Sequence, residues 1–333
     1  MLLRFFKQSL IQVLAVIIFI AAVLWVSSFF KSSDVFFYFD YQKMPFFELI
    51  TSISPSKIWL QILLNFTISL ISGLYLIQFN SKHIVIKHRS YLPALFFILI
   101  CSSIPSLQKA NPAVFASFFF ILAFDHIFSI YHKEQVFDNL FRAGFYISTA
   151  SLFYAPALLY LLPLIFSILS IRTFNPRELF VTLIGYMTPW LLYSLYTYIA
   201  KDDWGLFINL IKENLWDTNS YPYTITLLNY ITLGFLLFIF LPSGLFLFNS
   251  LQSQKINVRK YFGVFYWFNL TTIIILFTIP LLSIEIIYLF AVPYAFQLSY
   301  YFSLSKGKFW PQFLFTMLLA CIFLPHLLCI YFP

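Results

Sequence analysis

Residues 143–171 read AGFYISTASLFYAPALLYLLPLIFSILSI, twenty-nine residues without one charged side chain. A single helix crosses the hydrocarbon core of a bilayer with roughly 20 apolar residues. This run is too long for one upright helix, and it contains Pro156 and Pro163. It is either one tilted, kinked helix or two short helices folded as a hairpin that meets near Ala155 and Pro156. The choice decides the fold, because it sets the side of the membrane on which every later loop emerges. Lysine and arginine concentrate on the cytoplasmic side of membrane proteins. With a hairpin and the N-terminus inside, fourteen of the twenty basic residues are cytoplasmic and six are outside. With a single helix the split is nine inside against eleven outside. The hairpin is the consistent reading.

The rest of the 333-residue chain supports a membrane setting. It is 61% hydrophobic and 22% aromatic, only 10% is charged, and the mean hydropathy is +0.87. A soluble domain carries about 25% charged residues, and this chain has too few to cover its surface with charge. The same composition excludes disorder, coiled coils and a disulfide scaffold. Apolar runs fall at about 9–30, 58–79, 91–104, 112–131, 143–156, 157–171, 179–200, 224–249, 263–282, 286–304 and 312–331. The expected fold is therefore all-α: a polytopic helical membrane protein of about 11 membrane segments, N-terminus inside and C-terminus outside. Residues 1–333 form a single transmembrane domain. The first run follows Arg4 and Lys7 and has no small-residue cleavage pattern, so it reads as a retained anchor.

The net charge of +8 comes from basic residues spread in twos and threes between apolar runs. That is the pattern of membrane topology against anionic lipid, not of a nucleic-acid face. Acidic residues fall the other way, and eight of twelve lie in the outer loops. Two of those loops, about 31–57 and 201–223, are long enough to fold. The FFELI portion of the first has the amphipathic pattern of a short interfacial helix. In the second, Trp204, Leu206, Phe207, Leu210, Ile211 and Leu215 recur at helical spacing, with Lys212 and Glu213 facing away. Asp202 or Asp203 would cap that helix.

No phosphate-binding, dinucleotide-binding, zinc-protease or serine-hydrolase motif occurs. His126 and His132 are six residues apart, which puts them on different helical faces, and no metal motif is present. Cys101, Cys321 and Cys329 sit singly in apolar runs and read as small hydrophobes. Glycine is scarce, with 8 residues and no G-x-x-x-G within a span. Charge within the spans is nearly absent, which argues against pumps and proton relays. The remaining candidates are Asp34 and Asp40, which flank the apolar run Val35-Phe36-Phe37-Tyr38-Phe39. Apolar neighbours partly desolvate a carboxylate and raise its basicity.

Residues 143–198, AGFYISTASLFYAPALLYLLPLIFSILSIRTFNPRELFVTLIGYMTPWLLYSLYTY, resemble an uncharacterised family of multi-pass inner-membrane proteins from Bacteroidota. More distantly, the plan is similar to the C superfamily of membrane glycosyltransferases. The shared features are a cytoplasmic N-terminus, an acidic first outer loop and short paired helices in mid-chain. The match is one of layout, since no paired-acid motif adjoins the first span. The resemblance implies a protein of the bacterial inner membrane, acting in envelope biogenesis with a polyprenyl-phosphate sugar as substrate. Asp40 or Asp34 would then deprotonate the acceptor. Lys43, Lys57, Lys109 and Lys201 would hold the lipid phosphate as point charges. The alternative expectation is a non-catalytic scaffold or translocation component whose partners are membrane lipids and an envelope protein.

Overall fold

The computed structural model describes residues 2–8, 10–30, 37, 39, 42–53, 58–86, 90–131, 133–202, 205–216, 227–279, 284–305 and 309–331. Among these residues every regular element is a helix. A short α1 (Leu2–Phe6) precedes α2 (Ile11–Phe30) and α3 (Pro45–Ile53). The chain continues through α4 (Ile58–His83), α5 (Leu92–Cys101), α6 (Pro112–Ser129) and α7 (Phe137–Phe153). Next come α8 (Leu161–Ile171), α9 (Pro176–Lys201), α10 (Leu206–Trp216) and α11 (Leu227–Leu251). The last three are α12 (Ile256–Thr278), α13 (Ile287–Leu304) and α14 (Trp310–Tyr331). Single 3-10 turns occupy Pro105–Leu107, Ala155–Tyr160 and Ile284–Ile286.

Among the described residues, seven helices are long and apolar enough to cross a membrane: α2, α4, α6, α9, α11, α12 and α14. The chain is thus a multi-pass membrane protein whose apolar outer faces contact lipid. At the centre stands α13, buried along most of its length, with all ten residues of α5 buried against it. At 1.5 Å per residue, α5 is about 15 Å long, half of a hydrocarbon core. The stretch after it leaves helical conformation while still inside the bundle. Ser102, Ser103, Leu107, Gln108 and Asn111 are all buried there. Irregular backbone is tolerated at membrane depth only where protein encloses it.

The 143–171 run is broken where its first proline falls. Helix α7 begins at Phe137, earlier than hydropathy alone marks, and ends at Phe153. Tyr154 is extended (φ −138°, ψ 104°), and Pro156 lies in the first turn of a 3-10 segment. The second proline, Pro163, sits in the first turn of α8, where its missing N–H has no intrahelical acceptor to lose. The chain then returns to the end of the bundle where it started. The Arg172 guanidinium, just past α8, hydrogen-bonds the carbonyls of Lys133 and Ile130, just before α7. The tip of this excursion is buried, and Tyr160 in it donates to Thr272 of α12 at 2.6 Å.

Helices α7 and α9 make the closest crossing. A methyl built on Gly185 would lie 2.2 Å from the Phe141 carbonyl oxygen, and one on Gly144 would lie 2.4 Å from that of Thr182. The two glycines sit on different helices, so the contact does the work of a small-residue motif without its sequence signature.

Charge sorts to the two ends. Arg4, Lys7, Lys82, Lys133, Arg142, Arg172, Arg177, Lys255, Arg259 and Lys260 lie at one end, the basic end. The far end carries α3, α10 and the three 3-10 turns. There α3 packs on α7, with the rings of Phe46 and Phe153 5.3 Å apart, and α10 packs on the 155–160 turn. Asp202 does not cap α10. It is the left-handed C-cap of α9 (φ 51°), and α10 starts at Leu206 after Gly205. Asp203 lies outside the described residues.

Candidate functional site

A buried polar layer forms at the far end, where α5 and the paired α7 and α8 stop short and 3-10 turns take over. Its best-defined part joins α2, the 102–108 turn and α14. His326 donates from Nε2 to the Ser102 carbonyl at 2.6 Å. A carbonyl only accepts, so the proton is on Nε2, and Nδ1 of the neutral ring accepts from the Ser27 hydroxyl at 2.7 Å. Trp25 Nε1 donates to Ser102 Oγ at 2.9 Å. Gln108 accepts from Ser28 and donates to the carbonyl of Leu24 at 3.3 Å. Ser27 and His326 are both buried, so this pairing ties helices together and faces no substrate. Asn65 of α4 donates to the Lys109 carbonyl at 2.8 Å.

Beside this layer, Glu285 is fully buried in the last 3-10 turn, and Tyr154 donates to its Oε1 at 3.4 Å. One turn on, Tyr288 donates to the Leu107 carbonyl at 3.1 Å. These two tyrosines join the three 3-10 turns into one unit. Asn111 caps α6 through Oδ1, while its Nδ2 is buried with no hydrogen-bond partner among the described residues.

The residues singled out in the sequence fall unevenly on this layer. The Lys109 ammonium sits 4.9 Å from the centroid of the Phe37 ring. Phe37 and Phe39 are both buried and stacked at 5.1 Å, and Phe39 packs edge-on against Phe47 of α3. Lys43 donates to Thr51 Oγ1 at 3.2 Å, across one face of α3. Asp34, Asp40 and Lys57 lie outside the described residues, as does the side chain of Lys201.

A second cluster, at the basic end, escaped the sequence reading. Asp125 in the last turns of α6 accepts from His83 Nε2 at 2.6 Å, Lys82 Nζ at 2.6 Å and the Tyr75 hydroxyl at 3.3 Å. Phe79, Phe128 and Tyr261 enclose the His83 ring. Beside the cluster, His126 donates from Nδ1 to Asn139 Oδ1 at 3.2 Å and stacks on Tyr146. Charge inside the spans is therefore present, and in this cluster it is paired. The usable signal was that Lys82-His83 and Asp125 each close an apolar run at what topology makes the same end. Just past this cluster Ile84 has φ 51°, a left-handed conformation that a β-branched residue adopts only under strain. No group of three or more metal-ligating side chains occurs among the described residues.

Compared with known proteins, the chain matches no family model, no curated protein and no solved structure.

Proposed function

We propose that the chain is a protein of the bacterial inner membrane with eleven membrane segments, N-terminus in the cytoplasm and C-terminus outside. The seven long spans are joined in this reading by α5, α7, α13 and the segment from Ala155 to Ile171. The clustering of basic side chains at one end supports the orientation. In envelope biogenesis it acts as a glycosyltransferase at the outer leaflet, taking its sugar from a polyprenyl-phosphate donor. Asp40, or Asp34, removes the proton of the acceptor hydroxyl. The freed oxygen attacks the anomeric carbon, the bond from that carbon to the phosphate oxygen breaks, and the lipid phosphate leaves as an anion. Lys109, with Lys43, Lys57 and Lys201, offsets the charge that develops on it.

One observation carries this reading. Phe37 is buried under the Lys109 ammonium, and Phe39 is buried two residues on. Phe37 and Phe39, which the sequence sets between the two aspartates, thus lie beside a cation and the buried polar layer. The test is analysis of envelope glycans in strains carrying Asp40→Asn, Asp34→Asn, Lys109→Gln and a full deletion. Loss of a general base lowers a rate by about a hundredfold or more, so Asp40→Asn is expected to mimic the deletion. A deletion that leaves every envelope glycan intact removes the enzyme reading in favour of a scaffold.

A further inference from the structure

At the basic end, on the outer surface of the α7 and α9 pair, Phe137, Pro176, Arg177, Phe180 and Val181 line an open groove of about 520 Å³. We propose that this groove is a binding site for an anionic phospholipid of the leaflet at the basic end, its phosphate on Arg177 and one acyl chain along Phe180. The inference is independent of the glycosyltransferase reading.

Charge complementarity picks out the occupant. The two carboxylates nearest in sequence are already engaged: Glu178 is buried and paired with Arg172 at 3.4 Å, and Asp138 pairs with Arg142 at 2.9 Å. The Arg177 guanidinium is exposed and has no partner among the described residues. Its backbone N–H is taken by the Asn175 side chain, so the site rests on the side chain and not on the helix terminus. Phe180 and Val181 follow Arg177 at three and four residues, which places them on its face of α9, one turn deeper in the bilayer. Ile184, Met187 and Leu191 extend the exposed apolar stripe further down the helix. A cation at headgroup depth with an apolar track beneath it matches a diacyl phospholipid and not a soluble anion. Arginine also suits the phosphodiester, because its fork donates two parallel hydrogen bonds.

The test is native mass spectrometry of the full chain titrated with phosphatidylglycerol, with phosphatidylethanolamine and inorganic phosphate as separate arms. One phosphatidylglycerol should bind in preference to phosphatidylethanolamine, and inorganic phosphate should not displace it. Arg177→Gln should weaken binding about fivefold, the worth of one basic residue at a charged leaflet. Arg177→Lys should keep most of the affinity, and Phe180→Ala should reduce it without altering the charge. Lys255→Gln, at the same end but away from the groove, should have no effect. The proposal is overturned if Arg177→Gln binds like the parent, if Lys255→Gln weakens binding equally, if phosphatidylethanolamine binds as well, or if phosphate alone competes.

Discussion

Replacing Gly185 by alanine probes the crossing on which the 143–171 excursion rests. The added methyl meets the Phe141 carbonyl oxygen at 2.2 Å and the Phe141 Cα at 2.9 Å. Such contacts do not fall below 3.0 Å, and both neighbours are backbone, so no rotamer change relieves the clash. Helices α7 and α9 must separate by about 0.8 Å, the shortfall between those two distances. That movement strains two buried hydrogen bonds that bridge them and the hairpin tip. These are Trp190 Nε1 to Ser151 Oγ at 2.9 Å and the Tyr186 hydroxyl to the Leu158 carbonyl at 2.6 Å. Overpacking costs about 1–3 kcal/mol, and each weakened buried hydrogen bond adds about 1 kcal/mol. The total, about 3–5 kcal/mol, is a large share of the stability of an ordinary domain. Thermal unfolding in mild detergent, followed by circular dichroism, should give a midpoint lower by on the order of 10 °C. Gly263→Ala, where a methyl meets nothing within 4 Å, is the control. If Gly185→Ala melts with that control, the close crossing is wrong.

Other substitutions test separate parts of the structure. Asp125→Ala strips the partner from His83 and leaves that ring buried, so it should destabilise by about 3 kcal/mol. Lys82→Ala should cost less than 1 kcal/mol, because more than half of that side chain is solvent-exposed; chemical denaturation of both variants checks the ranking. His326→Ala removes two short buried hydrogen bonds and leaves only the longer ones from Ser27 to the Leu24 carbonyl at 3.3 Å and from Gln108 to the Ser102 carbonyl at 3.4 Å, so the same assay should register a loss of about 1–3 kcal/mol. Ile84→Gly relieves a left-handed backbone at an exposed position and should raise the unfolding free energy by about 1 kcal/mol. A lower midpoint for that variant would refute the strain.

The spans were readable because length and hydropathy suffice to mark them. The expected runs at 9–30, 112–131 and 312–331 differ from the observed Ile11–Phe30, Pro112–Ser129 and Trp310–Tyr331 by two residues at one end, whereas the run expected at 263–282 is a helix over Ile256–Thr278. Pro156 was readable as a break because the run around it is too long for one span, and not from proline alone, since Pro189, Pro242, Pro293 and Pro325 lie inside continuous helices. The Gly144–Gly185 crossing was not readable, since it joins two helices through residues that form no motif on either. The Asp125 cluster was missed for the same reason: its partners are 42 and 43 residues away, and only the packing of α4 on α6 brings them together. The Asp202 cap failed because an aspartate tolerates the left-handed conformation as readily as it caps a helix, and the end of α9 claimed it first. Of the residues proposed for the glycosyltransferase site, Lys109 and Lys43 are described, while the two aspartates lie outside the described residues.

The proposed eleven-segment bundle has its basic end in the cytoplasm and its polar, half-helix end outside. Thiol accessibility tests it most directly, in a cysteine-free background carrying Glu134→Cys, Phe174→Cys or Trp216→Cys one at a time. All three positions are exposed, the first two flank the paired helices at the basic end, and the third closes α10 at the far end. An impermeant maleimide should label Trp216→Cys in intact spheroplasts, and should reach Glu134→Cys and Phe174→Cys only after the membrane is opened. Labelling of Glu134→Cys and Phe174→Cys from opposite sides would contradict the paired helices, and labelling of both from outside would invert the orientation.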